Sequence, residues 1–235
     1  MLSEEERYLE FHRERYRLLL RRVAGSLSRC GGESSDILVA GPSHDSRLVA
    51  ERHPAARIDT LGIWDPRYPA PGGRHHEMDL NLSREPGRWP AIGPYQLVIL
   101  AEVIEHLQTS PQAVFRFLRG VLRPGGELIV QTPNAASLAK RWNLLVGRNP
   151  FMPIPGAPDS SQHWREYTAR ELIAAAREAG LEPVHLSIDN CYRHQGRRAR
   201  FYLLAGRLAP PSLRDCITLT LGTCHYPPQR PASGL

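Results

Sequence analysis

The chain has 235 residues, 41% of them hydrophobic and 23% charged, which suits one globular domain with a sizeable core. No apolar run approaches the ~20 residues that span a bilayer, and the acidic start Ser3-Glu4-Glu5-Glu6 is unlike a secretory signal, so the cytoplasm is expected, with no membrane partner. The formal charge of +6 comes from 29 Arg and one Lys, scattered except around Arg193 and Arg197 to Arg200, a pattern that speaks against nucleic acid as a partner.

A capping box, Ser3 with Glu6, opens a helix that Tyr8, Phe11, Tyr16, Leu18 and Leu19 carry to about Leu27. Residues 1–30 are read as this N-terminal helix, which could equally make a dimer contact; the oligomeric state stays open. Strands follow at Asp36 to Ala40, Arg57 to Ile63, His76 to Met78, Tyr95 to Ala101 and Leu128 to Gln131, with helices near Ser46 to Arg52 and Pro111 to Leu122. Ala135 to Val146 reads as helix and 147–162 as a Pro-rich loop. Thr168 with Glu171 caps a further helix that Gly180 ends. Val184 to Ile188 and Arg200 to Ala205 are read as the sixth and seventh strands. This alternation predicts an α/β fold, a mostly parallel sheet with helices on both faces, in a single domain over residues 31–208. Residues 209–235 are Pro-rich and read as a loosely ordered C-terminal tail. Cys30, Cys191, Cys216 and Cys224 show no CxxC spacing and are read as thiols, although Cys216 and Cys224 could pair across a hairpin.

Glu102-Val-Ile-Glu105-His106-Leu107 directly follows the apolar run Leu97-Val98-Ile99-Leu100. Residues three and four apart on a helical turn share a face, so Glu102, Glu105 and His106 would point together. With His163 they offer two carboxylates and two imidazoles to one divalent ion, such as Mg²⁺. Solvated glutamates, with His106 capping a turn, are the competing reading.

The stretch Gln96 to Glu102, then Leu122-Arg-Pro-Gly-Gly-Glu-Leu-Ile-Val-Gln-Thr-Pro-Asn134, then His163-Trp-Arg-Glu-Tyr-Thr168, resembles the class I S-adenosylmethionine-dependent methyltransferases. The branch it resembles carries an EVIEHL-type segment after the fourth strand and RPGG…TPN at the fifth. It includes the ubiquinone-biosynthesis O-methyltransferases and the small-RNA 3′-terminal 2′-O-methyltransferases. The likeness runs from about Asp36 to Arg207 and is most specific between 95 and 171. It implies a Rossmann-like seven-stranded sheet and S-adenosyl-L-methionine as the cofactor.

On that resemblance the cofactor would meet Gly41 and Ser43 after the first strand, Asp65 after the second, Asp79 and Leu80 after the third, and Ala101 and Glu102 at the end of the fourth. Asp65 would receive the ribose hydroxyls and Asp79-Leu80 the adenine. As bland alternatives, Asp65 starts a turn before Pro66 and Asp79 belongs to a loop turn. The chain departs from the family at Val39, where an acid is usual, at Ser43 and Asp45, where glycines are usual, and at Gln96, often Asp. An Asp45 carboxylate facing the methionine end of the cofactor would be unfavourable. Catalysis would fall to His106 or His163 as base, or to a divalent ion held by Glu102, Glu105, His106 and His163. Three readings stand: an O-methyltransferase for a small-molecule or sugar hydroxyl; an RNA-end 2′-O-methyltransferase; and a methyltransferase-like fold that has lost cofactor binding and serves as a scaffold or in another reaction. Trp142, Phe151 and Trp164 could wall the acceptor, with Trp142 expected in the core.

Overall fold

A strand covered on both faces needs apolar side chains at odd and even positions alike, because the pleat sends neighbours to opposite sides. Ile37 to Ala40 and Leu97 to Ala101 meet that demand. In the computed structural model, which describes residues 3–30, 35–154, 162–192 and 210–223, they are the central strands of one sheet. Its seven strands are β1 (Asp36–Ala40), β2 (Arg57–Gly62), β3 (Gly72–Glu77), β4 (Tyr95–Ala101), β5 (Leu122–Pro133), β6 (Leu181–Asp189) and β7 (Cys216–Thr223), in the order β3-β2-β1-β4-β5-β7-β6. β3, β2, β1, β4 and β5 pair in parallel, and β7 is antiparallel to both β5 and β6. The fold is a single-domain, Rossmann-like α/β sheet.

The pleat sorts the core into two layers. Ile37, Val39, Leu97, Ile99 and Ile129 face Leu19, Val23 and Leu27 of α2 (Arg13–Cys30) and Val49 of α3 (His44–Arg52). Leu38, Val98, Leu100, Leu128 and Val130 face α4 (Pro111–Gly120) and α6 (Ala169–Glu178). In α4 the apolar stripe of Val114, Phe115, Phe117 and Leu118 is wholly buried. The capping boxes of Ser3 with Glu6 and of Thr168 with Glu171 both form.

Several boundaries differ from the sequence reading. The leading helix is two, α1 (Glu4–Phe11) and α2, divided at His12. α3 starts at His44, earlier than predicted, because the Ser43 side chain accepts the Asp45 N–H and caps it. β3 begins at Gly72 rather than His76, and β5 at Leu122 rather than Leu128, because Tyr95 of β4 pairs with Leu122 across a register shift. The helix read from Ala135 is α5 (Leu138–Leu145). The predicted strand at Arg200 to Ala205 lies outside the described residues. The seventh strand is β7, inside the segment read as a loose tail, so the boundary set at residue 209 is corrected. Cys216-Ile-Thr-Leu-Thr-Leu-Gly-Thr223 is β-branched and apolar, and it completes the sheet between β5 and β6. Cys30, Cys191 and Cys216 are buried free thiols; Cys224 lies outside the described residues.

His12 yields a pH prediction. Its ring is buried among Tyr8, Phe11 and Tyr16, and its Nδ1 has no hydrogen-bond partner. Burial, reinforced by Arg15 and His44, lowers its pKa to about 4 from an ordinary value of 6.5. Its stabilising contribution is therefore complete above pH ~6.5 and lost as pH falls through about 4, a change of at most about 3 kcal/mol. Urea unfolding between pH 7.5 and 4 should show a smaller loss in His12→Phe than in the wild type, what remains coming from other buried groups such as His163. Equal slopes would mean that His12 is not the titrating group.

Candidate active site

Strand ends on the carboxyl side of a parallel sheet form the usual ligand crevice. Here the ends of β1, β2 and β4 surround a cavity of about 720 Å³ whose lining includes Gly41, Gly62, Asp79, Leu80, Glu102 and Val103, and also His106 and Trp164. Gly41 has φ +87°, and a Cβ there would sit 2.4 Å from Val103 Cγ2, so the loop needs glycine. Asp79 accepts the Asn81 N–H at 2.9 Å, and Asn81 in turn accepts the Gln108 N–H at 2.6 Å, which ties the β3 and β4 loops together. Glu102, at φ +54°, turns its carboxylate to the Tyr192 hydroxyl, which lies 3.0 Å from both oxygens.

Asp45 does not enter this cavity. Its carboxylate is buried against Arg15 of α2, with Nη1 to Oδ1 at 3.1 Å, and Ser43 Oγ donates to Asp45 Oδ2 at 2.9 Å. Both members of the ion pair are 1% exposed. Arg15 also donates to Gln131 Oε1 at 3.3 Å and lies over the Tyr16 ring. The Asp45 carboxylate is thus paired with Arg15 and is not part of the cavity lining.

Beside the cavity a second cluster forms. Trp164 and Arg165 N–H groups donate to the Glu105 carbonyl at 2.8 and 3.2 Å, clamping the His163 segment onto the turn at 104–106. Ligand atoms of Glu105, His106 and His163 consequently lie within 4.8 Å of one another, and the two rings meet edge to face. Glu105 is fully buried; Oε2 accepts from Thr132 at 2.8 Å, while Oε1 has no hydrogen-bond partner. His106 Nδ1 faces the Gln162 carbonyl at 2.9 Å, and His163 Nδ1 faces Glu166 Oε1 at 3.2 Å. Lys140 Nζ pairs with the other Glu166 oxygen. Burial pushes Glu105 and Glu102 above the ordinary carboxylate range, and each lies close enough to Arg15 to be partly relieved; Glu105 raises Glu102 further. Burial, His106 and Lys140 lower His163 to about 4, which keeps it neutral near pH 7.

A family model for the methyltransferase domain matches residues 27–186, well over half of the chain. The chain belongs to the methyltransferase domain family. A Mycolicibacterium smegmatis protein named as a probable S-adenosylmethionine-dependent methyltransferase is 31% identical over 191 residues, 77% of this chain and 62% of that protein. A ubiquinone biosynthesis O-methyltransferase of Bordetella avium is 28% identical over 121 residues, 49% of each chain. The chain therefore spans about half to three fifths of these curated relatives. Among solved structures, the N-methyltransferase NodS of Bradyrhizobium japonicum WM9 with S-adenosyl-l-homocysteine has a TM-score of 0.54 at 18% identity, covering 95% of this chain and 94% of that one. At that identity it shows the fold.

Within this methyltransferase domain the sequence-named residues separate. Gly41, Asp79, Leu80, Glu102 and His106 line the large cavity. Asp65 does not; it is bonded to Arg67, at 2.7 Å between Nη2 and Oδ2, which favours the turn-former reading. Ser43 caps α3 and borders a separate cavity of about 170 Å³. Ala101 is buried in β4, one residue short of the opening. Glu102 stands outside the Glu105–His106–His163 group, so the four-residue ligand set is reduced to three. The reason is backbone direction: the left-handed turn at Glu102 sends its carboxylate towards Tyr192. Trp142, expected in the core, is 62% exposed. Trp164 and Phe151 do wall a cleft of about 340 Å³ beside His163. Glu166, Thr132 and Tyr192 escaped the sequence reading. Glu166 is three residues after His163, a spacing that could have marked it; Tyr192 carried no local signal.

Proposed function

We propose that the chain is an S-adenosylmethionine-dependent methyltransferase acting on a hydroxyl of a small-molecule or sugar acceptor, assisted by a divalent cation. The observation that carries this is the shared wall: His106 and Trp164 border the cofactor-sized cavity and adjoin the Glu105–His106–His163 cluster. A methyl donor and an acceptor oxygen could therefore meet at one place, as in-line transfer requires. Family membership and the S-adenosylmethionine-dependent relative support the cofactor. The ubiquinone biosynthesis relative favours oxygen as the acceptor.

The three residues fit a cation. The buried Glu105 Oε1 has no hydrogen-bond partner, and each imidazole presents Nδ1 to an acceptor, an arrangement that orients Nε2 for coordination. A divalent cation supplies Lewis-acid charge that lowers the pKa of a nearby hydroxyl. Glu166 fixes the His163 ring, Thr132 fixes Glu105, and Glu102 lines the cavity with its carboxylate held by Tyr192. His163, held neutral, suits a ligand better than a general base with a pKa near neutrality. Without the cation, the same His106 Nε2 would be the candidate proton acceptor.

Calorimetric titration with S-adenosylmethionine tests the reading: micromolar binding is expected. No detectable binding would leave only a methyltransferase-like scaffold. With binding in hand, transfer to hydroxyl acceptors that is insensitive to chelator would remove the cation from the proposal.

A further inference from the structure

Ten large apolar side chains are exposed among the described residues, and seven of them fall between positions 142 and 154. They include Trp142, Leu144, Leu145, Val146, Met152 and Ile154, the last 79% exposed. No residue of α5 is buried, and its N-cap Ser137 makes no side-chain cap. An eight-residue helix of this kind gains little from packing and is marginal in water. So many exposed apolar side chains within thirteen successive residues mark an interaction site.

Charge identifies the partner. From Leu138 to Ile154 there is no Asp or Glu, while Lys140, Arg141 and Arg148 all fall in the segment. Lys140 is engaged by Glu166, but Arg141 and Arg148 are exposed. Apolar residues interleaved with cations, and no acid, match an element lying in the headgroup layer of an anionic bilayer. The segment is also continuous with the site: its Phe151 and Met152 line the 340 Å³ cleft together with His163 and Trp164.

We propose that residues 138–154 dock the protein on an anionic membrane surface, with Trp142, Leu144 and Leu145 entering the headgroup boundary and Arg141 and Arg148 meeting lipid phosphates. No helix among the described residues is long and apolar enough to cross a bilayer, and surface docking requires none. The docking does not depend on the methyl-transfer reading, and vesicle binding and cofactor titration can fail separately.

Co-sedimentation of the full chain with vesicles of phosphatidylglycerol and phosphatidylcholine, or of phosphatidylcholine alone, tests it. Strong binding to the anionic vesicles, weakened by salt, is expected, with a blue shift of tryptophan emission that Trp142→Phe removes. Leu144→Glu with Leu145→Glu should abolish binding. Arg141→Gln with Arg148→Gln should weaken it about fivefold per charge. All four positions are exposed, so unchanged urea midpoints are expected and separate lost docking from lost fold. Failure to bind anionic vesicles overturns the proposal, as does binding untouched by either double variant. Dimerisation that the leucine variants abolish, without vesicle binding, would assign this face to a second copy instead.

Discussion

Asp45→Ala is expected to lower the free energy of unfolding by about 3 kcal/mol, one of the larger single-site effects in the chain. The substitution strands the Arg15 guanidinium, 1% exposed, leaving it the Gln131 amide oxygen, the Tyr16 ring and the more distant Glu102 and Glu105. The pair itself need not be net stabilising, because both ions were desolvated to form it. Arg15→Met together with Asp45→Ala should therefore recover most of the loss. Urea titration of the two variants and the wild type decides this, and a loss below about 1 kcal/mol in Asp45→Ala would mean that water reaches Arg15. Any S-adenosylmethionine affinity measured for the wild type should persist in the double variant, because neither side chain lines the large cavity.

Glu166→Gln is expected to weaken Mn²⁺ binding by about 10–100-fold, and Glu105→Ala to reduce it further. Glu166 bonds His163 Nδ1 and pairs with Lys140; the amide would keep the shape and lose the charge that orients the ring. Calorimetry with the metal alone reads the affinity, so the result stands apart from turnover. Methyl transfer at saturating S-adenosylmethionine should fall about 100-fold in Glu105→Ala. Mn²⁺ affinity equal to wild type in both variants would sink the cation site and leave His106 as base.

Much of the fold could be read from the residues. Fully apolar runs such as Leu97 to Leu100 require a strand buried on two faces, and the stripe in α4 requires a helix, because pleat and helical period are local geometry. The capping boxes at Ser3 and Thr168 were equally legible, since each is a contact across three residues. β7 was not. Its neighbours in sequence are rich in proline, and what orders it is pairing with β5 and β6, partners some 90 and 30 residues away.

The site divides along the same line. Hydrophobic period by itself determined the α/β class and local spacing nominated Glu105, His106 and His163, while Gly41, Asp79 and Leu80 were nominated by the family resemblance, all of them in short segments. Only the tertiary structure decided that Glu102 leaves the ligand group for Tyr192, that Asp45 is turned away by Arg15, and that Asp65 faces Arg67 outside the cavity. Each outcome depends on where a backbone turn aims a charge and on which distant group receives it. Burial makes an unpaired charge costly enough to choose the partner, and sequence spacing carries no record of that choice.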